Sequence, residues 1–257
     1  MKNQLTMSKV PAVTLGFWIV KIAATTLGET GGDALSMTLN LGYAVSTLIF
    51  LAFFGAAVAG QVRARRYHPA LYWTVVIATT TVGTTTSDYF DRTLGLGYVV
   101  SSIVLLCAVL AVLLAWRQST GRIAVDHVTT RKDETFYWLT ILLSNTLGTA
   151  LGDFVATSTG LGFERGALVF GGLIGLVALA RSFKRLLKVP ASVLFWAAYV
   201  LTRPLGATLG DTLTKPTDAG GLALGRISSS LVMAGAMIAL IASTSLRKQP
   251  ETAKAGG

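Results

Sequence analysis

Apolar residues occur along the chain in eight long stretches, separated by short segments that are rich in polar and basic residues. An α-helix needs about 20 apolar residues to cross roughly 30 Å of hydrocarbon, and each stretch approaches or exceeds that length. The pattern predicts helices at residues 11–32, 42–62, 71–89, 97–116, 136–154, 163–181, 191–211 and 222–244. The expected fold class is therefore an all-α polytopic membrane protein with eight transmembrane helices.

Four copies of one sequence unit make up the chain. In every copy an aromatic residue precedes a tryptophan, a glycine follows ten residues after that tryptophan, and an aspartate follows fifteen residues after it. The tryptophans are Trp18, Trp73, Trp138 and Trp196, and the aspartates are Asp33, Asp88, Asp153 and Asp211. Each copy holds two predicted helices, which predicts four parallel two-helix repeats at approximately 11–66, 67–122, 131–188 and 190–246, within one membrane domain spanning residues 1–257.

The basic residues indicate the orientation of these helices. The chain carries a formal charge of +10, yet 52% of its residues are hydrophobic and only 13% are charged. Lysine and arginine cluster after the second helix of each repeat, as in 63–66 and 181–188. Positive loops mark the cytoplasmic side of a membrane, so both termini are expected in the cytoplasm and nucleic acid is excluded as a partner. The tryptophans, at the same end, are interpreted as an aromatic belt at the membrane interface.

Positions 3, 7, 10 and 14 after each tryptophan share one face of a helix. Small residues four apart let helices approach closely, and polar residues inside a membrane avoid lipid, so this face is expected to point into the bundle. It serves either as a packing surface or as part of a pathway. Its residues are Lys21, Thr25, Gly28, Gly32, Thr80, Gly83, Asn145, Gly148, Gly152, Arg203, Gly206 and Gly210.

Acidic residues near the ends of the first helices are the candidate chemistry. A carboxylate in hydrocarbon costs several kcal/mol unless it is paired or hydrated, so these acids predict a polar cavity or an ion pathway. An aspartate that follows a small residue near a helix end also fits a capping role. The candidate metal ligands are Glu29, Asp33, Asp88, Asp91, Asp153 and Asp211. Lys21 and Arg203 are the candidate counter-ions that neutralise them when the site is empty.

Segments of these units resemble a known family. Residues 21–33 (KIAATTLGETGGD) and 147–153 (LGTALGD) are similar to bacterial membrane proteins built from the repeat called domain of unknown function 347. The resemblance runs from about Trp18 to Ser243, although the second copy (TVGTTTSD) lacks the second glycine and the fourth carries Arg203 followed by proline. It implies a four-repeat protein of the bacterial inner membrane and no particular activity.

The predicted function is a small secondary transporter or exporter of a cation. Oxygen ligands without thiolate or imidazole suit manganese or magnesium, and protons competing for the same carboxylates would couple the exchange. The alternatives are a cation channel and a non-transporting structural or regulatory membrane protein. No enzyme activity and no cofactor are expected, because His68 and His127 fall in loops far from the aspartates. The expected partners are the lipid bilayer and an inorganic cation.

Overall fold

A computed structural model describes residues 9–64, 67–123, 128–183 and 188–246, and within these ranges the chain forms eight long helices and no strand. They are α1 (Leu15–Asp33), α2 (Gly42–Arg63), α3 (Pro69–Asp88), α4 (Gly97–Thr120), α5 (Arg131–Asp153), α6 (Gly162–Ser182), α7 (Ala191–Thr214) and α8 (Arg226–Leu246). The all-α prediction is confirmed, and no predicted boundary differs from a helix end by more than five residues.

Some residues on which the sequence analysis relied lie outside the described ranges. They are Arg65, Arg66, His127, Lys184 and Arg185.

The four odd-numbered helices form a closed inner ring. α1 packs against α3, α3 against α5, α5 against α7, and α7 returns to α1. Each even-numbered helix lies outside this ring, mainly against the odd-numbered helix of the next repeat: α2 on α3, α4 on α5, α6 on α7 and α8 on α1. The two helices of the first repeat make little direct contact, so the repeats interlock in a cycle instead of standing as separate hairpins.

Hydropathy differs between the two layers of helices, with α5 as an apolar member of the inner ring. The outer helices α2, α4, α6 and α8 are long and apolar enough to cross a membrane, as is the segment Arg131–Ser158 that contains α5. Large apolar side chains such as Leu48, Leu176 and Leu231 are exposed on the outer layer, which suits contact with lipid. The inner helices α1, α3 and α7 are less apolar because their buried faces carry charged residues and threonines.

A short π-helical segment follows the aspartate in each of the first three repeats. The chain then reverses through backbone with positive φ, where glycine pays no Cβ penalty, as at Gly97 (φ 72°) and Gly162 (φ 76°). The fourth repeat differs, since α7 runs on to Thr214 and a 3₁₀ turn replaces the π-helical segment. The three π-helical segments are Ala34–Thr38, Tyr89–Thr93 and Phe154–Ser158.

The bundle has two chemically different ends. At the tryptophan end, the last turns of α2, α4 and α6 carry Arg63, Arg117 and Arg181. At the opposite, aspartate end, Arg226 at the start of α8 lies 3.4 Å from a carboxylate oxygen of Asp33 at the end of α1. The tryptophan end therefore carries basic residues at the ends of three outer helices, whereas the aspartate end combines the repeat aspartates with basic residues.

Candidate functional site

A ring of eight aromatic side chains closes the tryptophan end. The aromatic residue before each tryptophan packs on the tryptophan of the next repeat, with ring centroids 5.7 to 5.8 Å apart in all four pairs. The pairs are Phe17 with Trp73, Tyr72 with Trp138, Tyr137 with Trp196, and Phe195 with Trp18. The hydroxyl oxygens of Tyr72 and Tyr137 also lie 2.7 Å apart in a hydrogen bond.

This ring corrects the interpretation of the tryptophans as an interfacial belt. Trp73, Trp138 and Trp196 are each no more than 5% exposed, because their rings pack between helices rather than outward. Only Trp18 is partly exposed. We call these eight side chains the aromatic plug. Burial of their large aromatic surfaces stabilises the arrangement.

The glycines ten residues after each tryptophan lie at the seams between inner helices. Each faces the residue seven positions after the next tryptophan in the cycle: Gly28 faces Thr80, Gly83 faces Asn145, Gly148 faces Arg203, and Gly206 faces Thr25. A Cβ at Gly83 or Gly206 would lie 2.8 Å from backbone carbon of the facing residue, closer than any real Cβ contact. Four equivalent close approaches therefore set the radius of the inner ring.

The small residues fourteen positions after the tryptophan form a second layer of the same seams. A Cβ at Gly210 would lie 2.8 Å from Cβ of Glu29, and one at Gly32 would lie 3.0 Å from Thr84. Gly152 faces Ala207 in the same way, at 3.2 Å. The residues seven and eleven positions after each tryptophan therefore lie at the close contacts between inner helices, in the interior of the bundle.

Arg203 and Glu29 form a buried ion pair at the centre of the ring. Nη1 of Arg203 lies 2.9 Å from Oε2 of Glu29, and the arginine side chain has no exposed surface. Its Nη2 donates hydrogen bonds to the hydroxyls of Thr84 and Thr149. The hydroxyl of Thr84 in turn lies 3.3 Å from the same Glu29 oxygen, so all four inner helices meet at this pair. The structure thus brings the sequence-predicted counter-ion Arg203 to a carboxylate.

Lys21, the other predicted counter-ion, lies away from the carboxylates. Its Nζ is 3.5 Å from Oδ1 of Asn145 and 4.4 Å from the centroid of the Tyr199 ring, a cation–π contact. Within the described ranges no carboxylate oxygen lies within ion-pair distance of Lys21. Eight residues of helix, or about 12 Å, separate it from Glu29 along α1. Lys21 therefore belongs to a layer nearer the aromatic plug.

The four repeat aspartates form two pairs, each bridged by a cation. Arg92 lies between Asp88 and Asp153, with its Nε 2.9 Å from the first carboxylate and its Nη2 3.1 Å from the second. Lys215 lies between Asp211 and Asp33, with its single Nζ 3.2 Å and 3.6 Å from them. Each cation thus joins the aspartate of its own repeat to the aspartate of the next.

Arg92 and Lys215 occupy the same position in two alternate repeats, nineteen residues after Trp73 and Trp196. The first and third repeats have Met37 and Thr157 there. At this position the charge pattern is therefore twofold, although the helix packing is fourfold. Neither residue was expected to have a role. A basic residue four positions after a repeat aspartate, present only in alternate copies, is nevertheless visible in the sequence and could have indicated these salt bridges.

Lys215 follows the last residue of α7 and lies between the carboxylates of Asp211 and Asp33. Burial of the side chain disfavours the charged amine, but the carboxylates of Asp211 and Asp33 outweigh burial and raise the pKa of Lys215 above its ordinary value. The group is therefore a protonated ammonium at physiological pH.

Three of the six predicted metal ligands come together. One carboxylate oxygen from each of Glu29, Asp33 and Asp211 lies within 4.8 Å of the other two, and all three side chains are buried. We call these three residues the carboxylate triad. The other three predicted ligands are not part of it: Asp88 and Asp153 share Arg92, and Asp91 accepts a hydrogen bond of 3.0 Å from Ser87. The triad is the set of described residues best suited to hold a hard cation.

Comparison with known proteins identifies the repeat. The family model described as a repeat of unknown function (DUF347) matches residues 16–67, 71–121, 136–186 and 194–249. Each matched segment begins two residues before one of the repeat tryptophans. No curated protein and no solved structure matches the chain.

Proposed function

The chain belongs to the family built from the repeat of unknown function DUF347, and from its geometry we propose that it is a small secondary transporter of a hard divalent cation. The carboxylate triad is the observation that carries this proposal. Three carboxylates within 4.8 Å of one another provide the oxygen ligands that Mn²⁺ and Mg²⁺ prefer. Their burial inside a ring of helices supports a position on the path of a transported ion.

In this proposal all eight helices cross the bacterial inner membrane, with both termini in the cytoplasm. The five helical segments that are long and apolar enough to span a membrane support this placement. Arg63, Arg117 and Arg181 all lie at the tryptophan end, and positive residues favour the cytoplasmic side. The aspartate end then faces the outside of the cell.

The two ends of the bundle support a carrier rather than a channel. At the aspartate end, the side chains of Arg92 and Arg226 are 33% and 26% exposed, so the environment reaches the salt bridges at this end, including the one from Arg226 to Asp33 of the triad. At the other end, seven of the eight side chains of the aromatic plug are buried, and Trp18 is partly exposed. A cation that enters from the aspartate end reaches the triad first, and its release on the other side requires the plug to separate.

Internal cations supply the counter-charge when no ion is bound. Arg203 pairs with Glu29, Lys215 with Asp33 and Asp211, and Arg226 with Asp33, so three cations face the three carboxylates of the triad. Protons taken up by the same carboxylates as the metal leaves would couple transport to a proton gradient. The same salt bridges favour the second candidate function, a structural membrane protein whose acids only hold its helices together.

Flux measurements in proteoliposomes distinguish these functions. Mn²⁺ entry is followed by quenching of an enclosed fluorescent dye, with wild type, Asp33→Asn and Asp211→Asn in separate vesicles. Asp218→Asn is the matched control, because Asp218 is an exposed carboxylate at the same end. We expect flux in wild type and the control, and its loss in the two triad variants with the fold retained. Absence of Mn²⁺, Mg²⁺ and proton flux in wild type, or full flux in the triad variants, would overturn the transporter proposal.

A further inference from the structure

The two cation bridges at the aspartate end differ in how firmly they hold their carboxylates. Arg92 uses two separate nitrogens, one for each aspartate, at 2.9 and 3.1 Å. Lys215 shares one nitrogen between its two aspartates, at 3.2 and 3.6 Å. A planar guanidinium fixes two carboxylates in a set geometry, whereas an ammonium on a four-carbon stem is a mobile point charge. Lys215 is therefore the weaker of the two bridging cations, and Asp33 has a second cation, Arg226, at 3.4 Å.

The number of ligands at the two bridges also differs. Glu29, eleven residues after Trp18, adds a third carboxylate beside Asp33 and Asp211. The equivalent positions in the other repeats carry Thr84, Thr149 and Ala207. Only at the bridge between the fourth and first repeats does a third carboxylate, that of Glu29, lie beside the two that the bridging cation contacts, and Glu29 itself pairs with Arg203. The Lys215 ammonium shows that the fold accommodates a positive charge at this position.

We propose, resting on the transport function proposed above, that Lys215 is the internal competitor for the transported ion and that its ammonium leaves the carboxylate triad when a divalent cation binds. Arg92 is in contrast a permanent bridge that holds Asp88 to Asp153. The exchange replaces one positive charge with two at a cluster of three carboxylates. The Phe163 ring, 5.8 Å from Nζ, offers the displaced ammonium a cation–π surface.

A reciprocal exchange of the two cations tests this asymmetry. Lys215→Arg converts the mobile bridge into a forked one, and Arg92→Lys makes the opposite change at the equivalent position. Mn²⁺ binding to protein purified in detergent is measured from the loss of the electron paramagnetic resonance signal of free Mn²⁺, which needs no transport. We expect Lys215→Arg to weaken Mn²⁺ binding by about tenfold, since a forked pair holds both carboxylates more tightly. Arg92→Lys should leave the affinity within about twofold of wild type, since its carboxylates are not the ligands.

A third variant removes the competitor altogether. Lys215→Gln is expected to bind Mn²⁺ about tenfold more tightly than wild type, because no internal charge then has to leave. Thermal melting in detergent shows whether Lys215→Arg folds. If it does not, Lys215→Gln still tests the inference. Weaker binding in Lys215→Gln, or equal losses in Lys215→Arg and Arg92→Lys, would overturn this inference while the transporter proposal stands. Wild type that binds no Mn²⁺ would overturn this inference, whereas the flux measurement decides the transporter proposal.

Discussion

Glu29 on α1 and Arg203 on α7 form an ion pair, with 2.9 Å between Oε2 and Nη1, in the interior of the inner ring. Glycine seams position both partners, since Gly210 packs on Glu29 and Gly148 packs on Arg203. Removing two charges from solvent costs free energy. The attraction between the two charges and the hydrogen bonds with Thr84 and Thr149 oppose that cost. The pair therefore ties the first repeat to the fourth at the point where the ring closes.

Losing one member of this pair should destabilise the protein more than losing both. Glu29→Gln or Arg203→Met alone leaves an uncompensated buried charge, and we expect a loss of about 3–5 kcal/mol in the free energy of unfolding. The double variant should recover much of it. Unfolding titrations in mixed detergent micelles measure the three values, with Glu164→Gln on the exposed side of α6 as control. Strictly additive losses would contradict a direct coupling between the two residues.

The glycine seams predict a sharp contrast between inner and outer glycines. Gly206→Ala places a methyl group against Thr25, and overpacking of this kind costs about 1–3 kcal/mol. Gly172→Ala on α6 meets nothing within 4 Å, so it should be neutral or slightly stabilising. Melting temperatures in detergent compare the two variants. Equal behaviour would show that the seam is looser than these contacts indicate.

The aromatic plug predicts unequal effects for equivalent tryptophans. Trp138 is 4% exposed, and Trp138→Ala should lower the free energy of unfolding by about 3–5 kcal/mol through the cavity it leaves. Trp18 occupies the same repeat position but is partly exposed, so Trp18→Ala should cost less. Denaturation of both variants in the same detergent checks the order. A larger loss for Trp18→Ala would place the tightly packed part of the plug elsewhere.

The proposed orientation predicts which residues are reached from outside the cell. In a background with Cys107→Ser, which removes the single cysteine, Asp218→Cys should react with a membrane-impermeant thiol reagent on intact cells. Arg131→Cys, at the start of α5 and exposed, should react only after permeabilisation. Labelling of Arg131→Cys from outside would reverse the orientation and place the triad nearer the cytoplasm.

The sequence by itself determined the helices and the period of the repeat. A helix that crosses a membrane needs about 20 apolar residues in succession, so each such helix is visible in the sequence as one long apolar stretch. Side chains four positions apart share a helix face, which made Gly148 and Gly152 predictable as members of one surface. The nearness of Glu29 to Asp33 followed from the same local geometry.

Only the tertiary structure decided which distant residues meet. The neighbours of Glu29 and Asp33 include Asp211 and Lys215 because the ring closes between the first and the last repeat, and no spacing along the chain records that closure. Burial of Trp138 likewise depends on the position of α3 beside α5, since a tryptophan at a membrane end suits either lipid or a packed ring. Local spacing fixes the face on which a side chain lies, but the packing of helices fixes the partner that it finds across that face.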